Sequence, residues 1–120
     1  MKTVLIADDN PAGRELIGTM LQSCGYLVLE AADGIDALRQ ARQNHPDFLI
    51  LDLHMPGLSG LEVIAELRKE DEFASIPIVA LTASAMKGDR ELALSAGFTG
   101  YITKPIRMSE LRSEVTRLLQ

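Results

Sequence analysis

The sequence predicts an α/β fold, a parallel sheet with helices on both faces, in one domain spanning residues 1–120. Two observations carry this reading. Short β-branched or leucine-rich runs alternate about five times with amphipathic stretches of helical period, the pattern of repeated βα units. Three of the runs, Val4-Leu5-Ile6, Phe48-Leu49-Ile50-Leu51 and Ile78-Val79-Ala80-Leu81, are apolar throughout rather than alternating. Strands covered by helices on both faces read that way.

The elements follow in order. Strands are expected at Thr3–Ala7, Leu27–Glu30, Phe48–Leu51, Ile78–Leu81 and Gly100–Thr103. The second and last are shorter or more polar and suit the sheet edges. Asn10 is placed to cap the first helix, with Pro11 at its first position, where a missing N–H costs nothing. Leu16, Ile17, Met20, Leu21 and Cys24 recur at helical spacing as its apolar face, and Gly25 ends it. Cys24 is expected in the core as an inert thiol. Asp33 caps a second helix over Ile35–Gln43, and Pro46 stops it before the third strand. His45 reads as an exposed loop residue. Ser59 and Glu62 form an S-x-x-E capping box ahead of Leu61, Ile64 and Leu67. Glu70, Asp71 and Glu72 read as a solvated helix end and loop. A fourth helix is expected from about Lys87 to Ala96, ending at Gly97. A fifth presents Met108, Leu111, Val115, Leu118 and Leu119 on one face.

Composition narrows the functional classes. Twelve Lys plus Arg against 17 Asp plus Glu give a net charge of −5 and a pI near 4.9. That balance argues against direct nucleic-acid binding, which needs a basic surface to neutralise phosphates. A single cysteine cannot close an internal disulfide, so a reducing, cytoplasmic compartment is expected. No apolar run is long enough to span a bilayer, and Asp8 and Asp9 interrupt any leader-like segment.

In a parallel sheet, ligands bind beyond the carboxyl ends of the strands. After the first run come Asp8 and Asp9, after the third Asp52, after the fourth Thr82 and Ala83, and after the fifth Lys104-Pro105. One rim therefore collects three carboxylates, a hydroxyl and an amine. Glu30 and Ala31, after the second run, have no evident role. Crowded carboxylates repel unless a cation binds between them. A hard divalent ion such as Mg²⁺ suits one or two carboxylates plus waters and a phosphate. An Asp beside a metal and a Lys is equipped to attack phosphorus and form an aspartyl phosphate. Singly, each residue has a plain structural use: Asp8 to Pro11 as strand end and cap, Asp52 and Thr82 at turns. Lys104 then becomes a solvated side chain and Tyr101 a half-buried edge residue. Their coincidence at strand ends is what argues for chemistry.

The order Asp8-Asp9, Asp52 in Leu51-Asp52-Leu53-His54-Met55-Pro56-Gly57, Thr82-Ala83 and Lys104-Pro105 resembles a response regulator receiver domain over essentially the whole chain. The resemblance implies a flavodoxin-like (βα)5 fold with strand order 2-1-3-4-5. It implies that Asp52 accepts a phosphoryl group from a sensor histidine kinase or histidine phosphotransfer protein. Mg²⁺, for which Mn²⁺ substitutes, would be held by Asp8, Asp9, Asp52 and the His54 carbonyl. Lys104 and the Ala83 N–H would contact the phosphoryl oxygens, Thr82 and Tyr101 would act as switch residues, and the peptide before Pro105 would be cis. His54 and Ser84 would tune phosphoryl lifetime. The face built from the fourth helix, fifth strand and fifth helix would then shift to bind a downstream protein or a second copy. The first helix would dock the kinase. Such a domain assists its own phosphorylation and dephosphorylation without being a conventional turnover enzyme. With nothing after Gln120, output is expected through binding, in a stand-alone regulator or as part of a longer chain.

Three alternatives stay open at this point. A flavodoxin-like mononucleotide binder needs a phosphate-cradling first loop, and Asp8-Asp9-Asn10-Pro11 repels bare phosphate. A dehalogenase-type aspartyl-phosphate hydrolase needs a second Asp where His54 stands. A phosphorylation-independent receiver-like interaction module needs none of the rim residues. Neither G-x-x-x-x-G-K-[ST] nor G-x-G-x-x-G occurs.

Overall fold

Parallel pairing and two-sided burial account for the architecture of the computed structural model, which describes residues 1–83 and 88–119. Ser84, and Lys87 at the expected start of the fourth helix, lie outside the described residues. Strands β1 (Thr3–Ala7), β2 (Leu27–Ala31), β3 (Phe48–Asp52), β4 (Ile78–Thr82) and β5 (Gly100–Thr103) form one parallel sheet in the order β2-β1-β3-β4-β5. Between and after them run α1 (Pro11–Ser23), α2 (Gly34–Asn44), α3 (Gly60–Leu67), α4 (Asp89–Ala96) and α5 (Met108–Leu119). The solvated stretch after α3 contains a single 3-10 turn, Asp71–Phe73.

Successive side chains of each central strand go to opposite faces, and both faces are dry. Val4, Ile6, Phe48, Ile50, Val79 and Leu81 pack with Ile17, Leu21, Leu111 and Val115 of α1 and α5. Leu5, Leu49, Leu51, Ile78 and Ala80 pack with Ala37, Ala41, Val63, Ile64, Leu67 and Ala93 of α2, α3 and α4. β3 and β4 are buried at every position, which is why their sequences show no alternation. Each fully buried Leu or Ile contributes roughly 1.5–3 kcal/mol. β2 and β5 lie at the edges and are partly exposed, as their composition foretold.

The helix ends use the predicted caps. Asn10 Oδ1 accepts from the Ala12 and Gly13 amides at 3.0 and 3.3 Å, and Pro11 is the first helical residue. Asp33 Oδ1 accepts from Asp36 N at 2.7 Å. Ser59 and Glu62 form the reciprocal capping box. Gly97 closes α4 in the left-handed region, at φ 112°. His45, an exposed residue, caps α2 with φ 50° and its ring contacts Glu72.

Two expectations on α1 need correction. Leu16 is 57% exposed, because the apolar stripe of α1 is wider than its contact with the sheet and Leu16 lies on the flank. Cys24 is exposed rather than core: the helix ends at Ser23, so Cys24 is the cap residue, off the buried stripe.

Candidate functional site

Three buried polar or charged residues occur among the described residues: Asp8, Asp52 and Thr82. All three sit at the carboxyl edge of the sheet. Asp8 follows β1, while Asp52 and Thr82 are the last residues of β3 and β4. Because β1 and β3 are neighbours, the two carboxylates stand side by side where the direction of strand succession reverses, with α1 on one face and α3 on the other.

Lys104 reaches this pair from one residue beyond β5. Its amide donates to the Thr82 carbonyl at 2.7 Å, and the Lys104–Pro105 peptide is cis, as the resemblance implied. Its Nζ lies 2.7 Å from Asp52 Oδ2 and 3.1 Å from Asp8 Oδ2. Backbone donors hold the other oxygens. His54 N donates to Asp52 Oδ1 at 2.9 Å, and Asn10 N to Asp8 Oδ1 at 3.0 Å. Burial pushes the Asp52 carboxyl above its usual value, against the pull of Lys104 and the His54 N–H. For Lys104, burial pulls the ammonium down, but its bonds to Asp52 and Asp8 outweigh that and hold it above the ordinary lysine value. Lys104 is therefore charged, and the conflict at the site falls on Asp52.

Asp9 is exposed at the mouth, yet carboxylate oxygens of Asp8, Asp9 and Asp52 all lie within 4.8 Å of one another. Three carboxylates face one ammonium. An all-oxygen set with a deficit of positive charge fits a hard divalent cation. Among the predicted site residues, Asp8, Asp9, Asp52, Thr82 and Lys104 gather at one rim. Ala83 is exposed beside them and lines an open groove of about 450 Å³ between α1 and the β5–α5 connection. Leu16, Ile17, Ile106 and Met108 give that groove apolar walls. His54 is exposed. Tyr101 is half-buried on β5 and packs against the α2–α3–α4 side. Burial and the nearby Asp89 hold its hydroxyl above the usual tyrosine value.

Two features of the site carry little local signal in the sequence. Glu30, without evident role in the sequence, pairs with Arg14 of α1 at 2.9 Å, and Arg14 Nη1 donates to the Asp8 carbonyl at 2.7 Å. No local pattern announces a contact between residues 16 apart. Gly60 is the other: a Cβ there would stand 2.4 Å from the Asp52 carbonyl oxygen, so α3 starts flush against the end of β3. The glycine before an apolar helical stretch was its only signal.

With this geometry in hand, comparison with known proteins is specific. Residues 4–116 match the response regulator receiver domain family. The polar-differentiation response regulator DivK of Brucella ovis is 40% identical over 105 residues, covering 88% of this chain and 85% of the relative. The chemotaxis protein CheY4 of Vibrio cholerae superposes with a TM-score of 0.92 at 31% identity, covering 98% of both chains. The receiver domain of a sensor histidine kinase from Pseudomonas aeruginosa has a TM-score of 0.89 at 38% identity, covering 98% of this chain and 96% of its own. That structure carries a magnesium ion coordinated in its active-site cleft.

Proposed function

The chain belongs to the response regulator receiver domain family of two-component signalling, and on that premise we propose that Asp52 accepts a phosphoryl group in a Mg²⁺-dependent reaction. One observation carries the reading: the buried polar groups of the described residues converge at one rim, where Lys104 bridges Asp52 and Asp8.

The donor is a phosphohistidine of a sensor kinase or phosphotransfer protein. An Asp52 carboxylate oxygen attacks phosphorus and the P–N bond breaks. An acyl phosphate forms, and the released imidazole takes up a proton. Lys104, already charged and 2.7 Å from Asp52, is positioned to follow the negative charge onto the phosphoryl oxygens. The Thr82 hydroxyl and the Ala83 N–H stand at the end of β4 as further donors. Asp8, Asp9, Asp52 and the His54 carbonyl would hold Mg²⁺, which when bound offsets the charge developing on the transferred group. Water attack on phosphorus later releases inorganic phosphate and regenerates the Asp52 carboxylate. The cycle resets a switch and turns over no free substrate, so the domain is a self-assisting acceptor rather than a conventional enzyme.

The groove beside Asp8, walled by Leu16, Ile17, Ile106 and Met108, is the docking place for the phosphodonor. Reorientation of Thr82 and Tyr101 on phosphorylation shifts the face of α4, β5 and α5 toward a downstream protein or a second copy, in the cytoplasm. The test is intact-protein mass after incubation with acetyl phosphate, with and without Mg²⁺, beside Asp52→Ala. One Mg²⁺-dependent phosphoryl addition, lost in the variant, is expected. Addition that persists in Asp52→Ala rejects the acceptor assignment. No addition, from acetyl phosphate or from a phosphohistidine donor, rejects the receiver chemistry.

A further inference from the structure

Arg14 is a cation placed beside a cluster of carboxylates suited to a cation. As a charge it works against that use, because it repels a divalent ion. Two facts point to another role. Its Nε pairs with Glu30 at 2.9 Å, so its charge is largely cancelled. Its Nη1 donates to the backbone carbonyl of Asp8 at 2.7 Å rather than to a carboxylate of the cluster. That carbonyl belongs to the peptide joining Asp8 to Asp9, so its direction governs where both side chains point. The amide on the other side of Asp8 is held by the Ala31 carbonyl at 3.1 Å. Glu30 is in register with Ile6 on the α1 side of the sheet, and it anchors the guanidinium from edge strand β2. The planar fork of an arginine can donate in two fixed directions at once, which a lysine ammonium does not reproduce.

We propose that Arg14 and Glu30 form a positioning pair that sets the Asp8–Asp9 peptide and so aligns the carboxylates for Mg²⁺. The proposal rests on the receiver reading and extends it to two residues outside the rim. Partners that orient ligands without touching the metal commonly shift metal affinity by about 10- to 100-fold. Arg14 acts through backbone, so the low end applies.

The charge and the geometry of Arg14 make opposite predictions. If only its charge mattered, Arg14→Met would tighten Mg²⁺ binding and Arg14→Lys would leave it unchanged. If it positions the peptide, both variants weaken binding, Arg14→Met by about tenfold. The experiment is a titration of the unphosphorylated protein with MgCl₂ at constant ionic strength, read from the amide resonances of Asp9 and His54. Thermal unfolding in chelator is recorded for each variant, and Arg14→Lys serves if Arg14→Met is too unstable. Glu30→Gln and the Arg14→Met/Glu30→Gln double variant complete the cycle. The double variant is expected to bind no more weakly than Arg14→Met, since the two residues act as one unit. Unchanged or tighter binding in both Arg14 variants, or fully additive losses in the cycle, overturns the proposal alone. A wild-type protein that binds no Mg²⁺ overturns the receiver reading and the proposal with it.

Discussion

Removing the ammonium from the rim is the sharpest perturbation available. Lys104→Met keeps a side chain of similar length and deletes the charge. Asp52 and Asp8 are 4% and 1% exposed, and each would keep one backbone donor, from His54 and Asn10. Breaking a buried pair by deleting one partner costs about 3–5 kcal/mol. The Lys104 side chain is 24% exposed, so water partly replaces it and about 2–3 kcal/mol is expected near neutral pH. For a domain of this size that is a fall of roughly 10 °C in Tm. The penalty has a direction in pH. Burial already raises Asp52, and losing Lys104 raises it further. The folded variant thus binds protons more tightly than the unfolded chain, and its stability falls as pH rises from the usual carboxylate value through the raised one. Below that window the Asp52 carboxyl is neutral and the deficit narrows. Mg²⁺ should restore part of the loss at neutral pH by replacing the missing positive charge. The assay is thermal unfolding of both proteins in chelator and in Mg²⁺, at neutral and acid pH. A variant as stable as wild type in chelator at neutral pH, or a deficit undiminished in acid, would refute the reasoning.

Three further outcomes are expected of the same structure. Asp52→Asn should stabilise the protein in chelator at neutral pH, since it removes a carboxylate that burial disfavours, and the gain should vanish in acid, as paired urea titrations would reveal. Gly60→Ala places a Cβ 2.4 Å from the Asp52 carbonyl oxygen and 3.0 Å from Leu53 Cα, both backbone. About 1–3 kcal/mol should be lost in urea denaturation, together with slower labelling by acetyl phosphate, and retention of both properties would contradict the tight fit. Arg68→Met deletes donors to the carbonyls of Gly97, Phe73 and Ile76. A loss of about 1.5–3 kcal/mol is expected, with faster hydrogen exchange at the amides of Phe98 and Thr99. Unaltered exchange there would show that the end of α4 does not depend on this arginine.

The legibility of this molecule in its sequence has a physical basis. In a parallel sheet every strand delivers its next residue to the same rim, so Asp8, Asp52, Thr82 and Lys104 could be gathered by reading the residues that terminate each apolar run. Strand lengths were less legible. β2, β3 and β4 each run one residue beyond the expected end, to Ala31, Asp52 and Thr82; for Asp52 and Thr82 the reason is that ladder pairing, such as Asp52 with Leu81, uses backbone groups and ignores side-chain polarity. Exposure of Leu16 depends on how much of α1 meets the sheet, a quantity that periodicity does not contain. The Arg14–Glu30 pair depends on α1 lying against edge strand β2, which no local pattern encodes.

The sheet is also a partition. Among the described residues, the cluster around Ile17 and Val115 and the cluster around Val63 and Leu67 have no side chain in common, and the sheet runs between them. Remodelling on one side therefore has no packed neighbour through which to disturb the other, and stability changes from the two sides should simply sum. The rim belongs to neither compartment. Asp8, Asp52 and Thr82 are attached to the wall itself, so an outer surface away from Arg14, Glu30 and Gly60, the residues that touch the rim backbone, is open to redrafting for a new neighbour while the acidic rim keeps its shape.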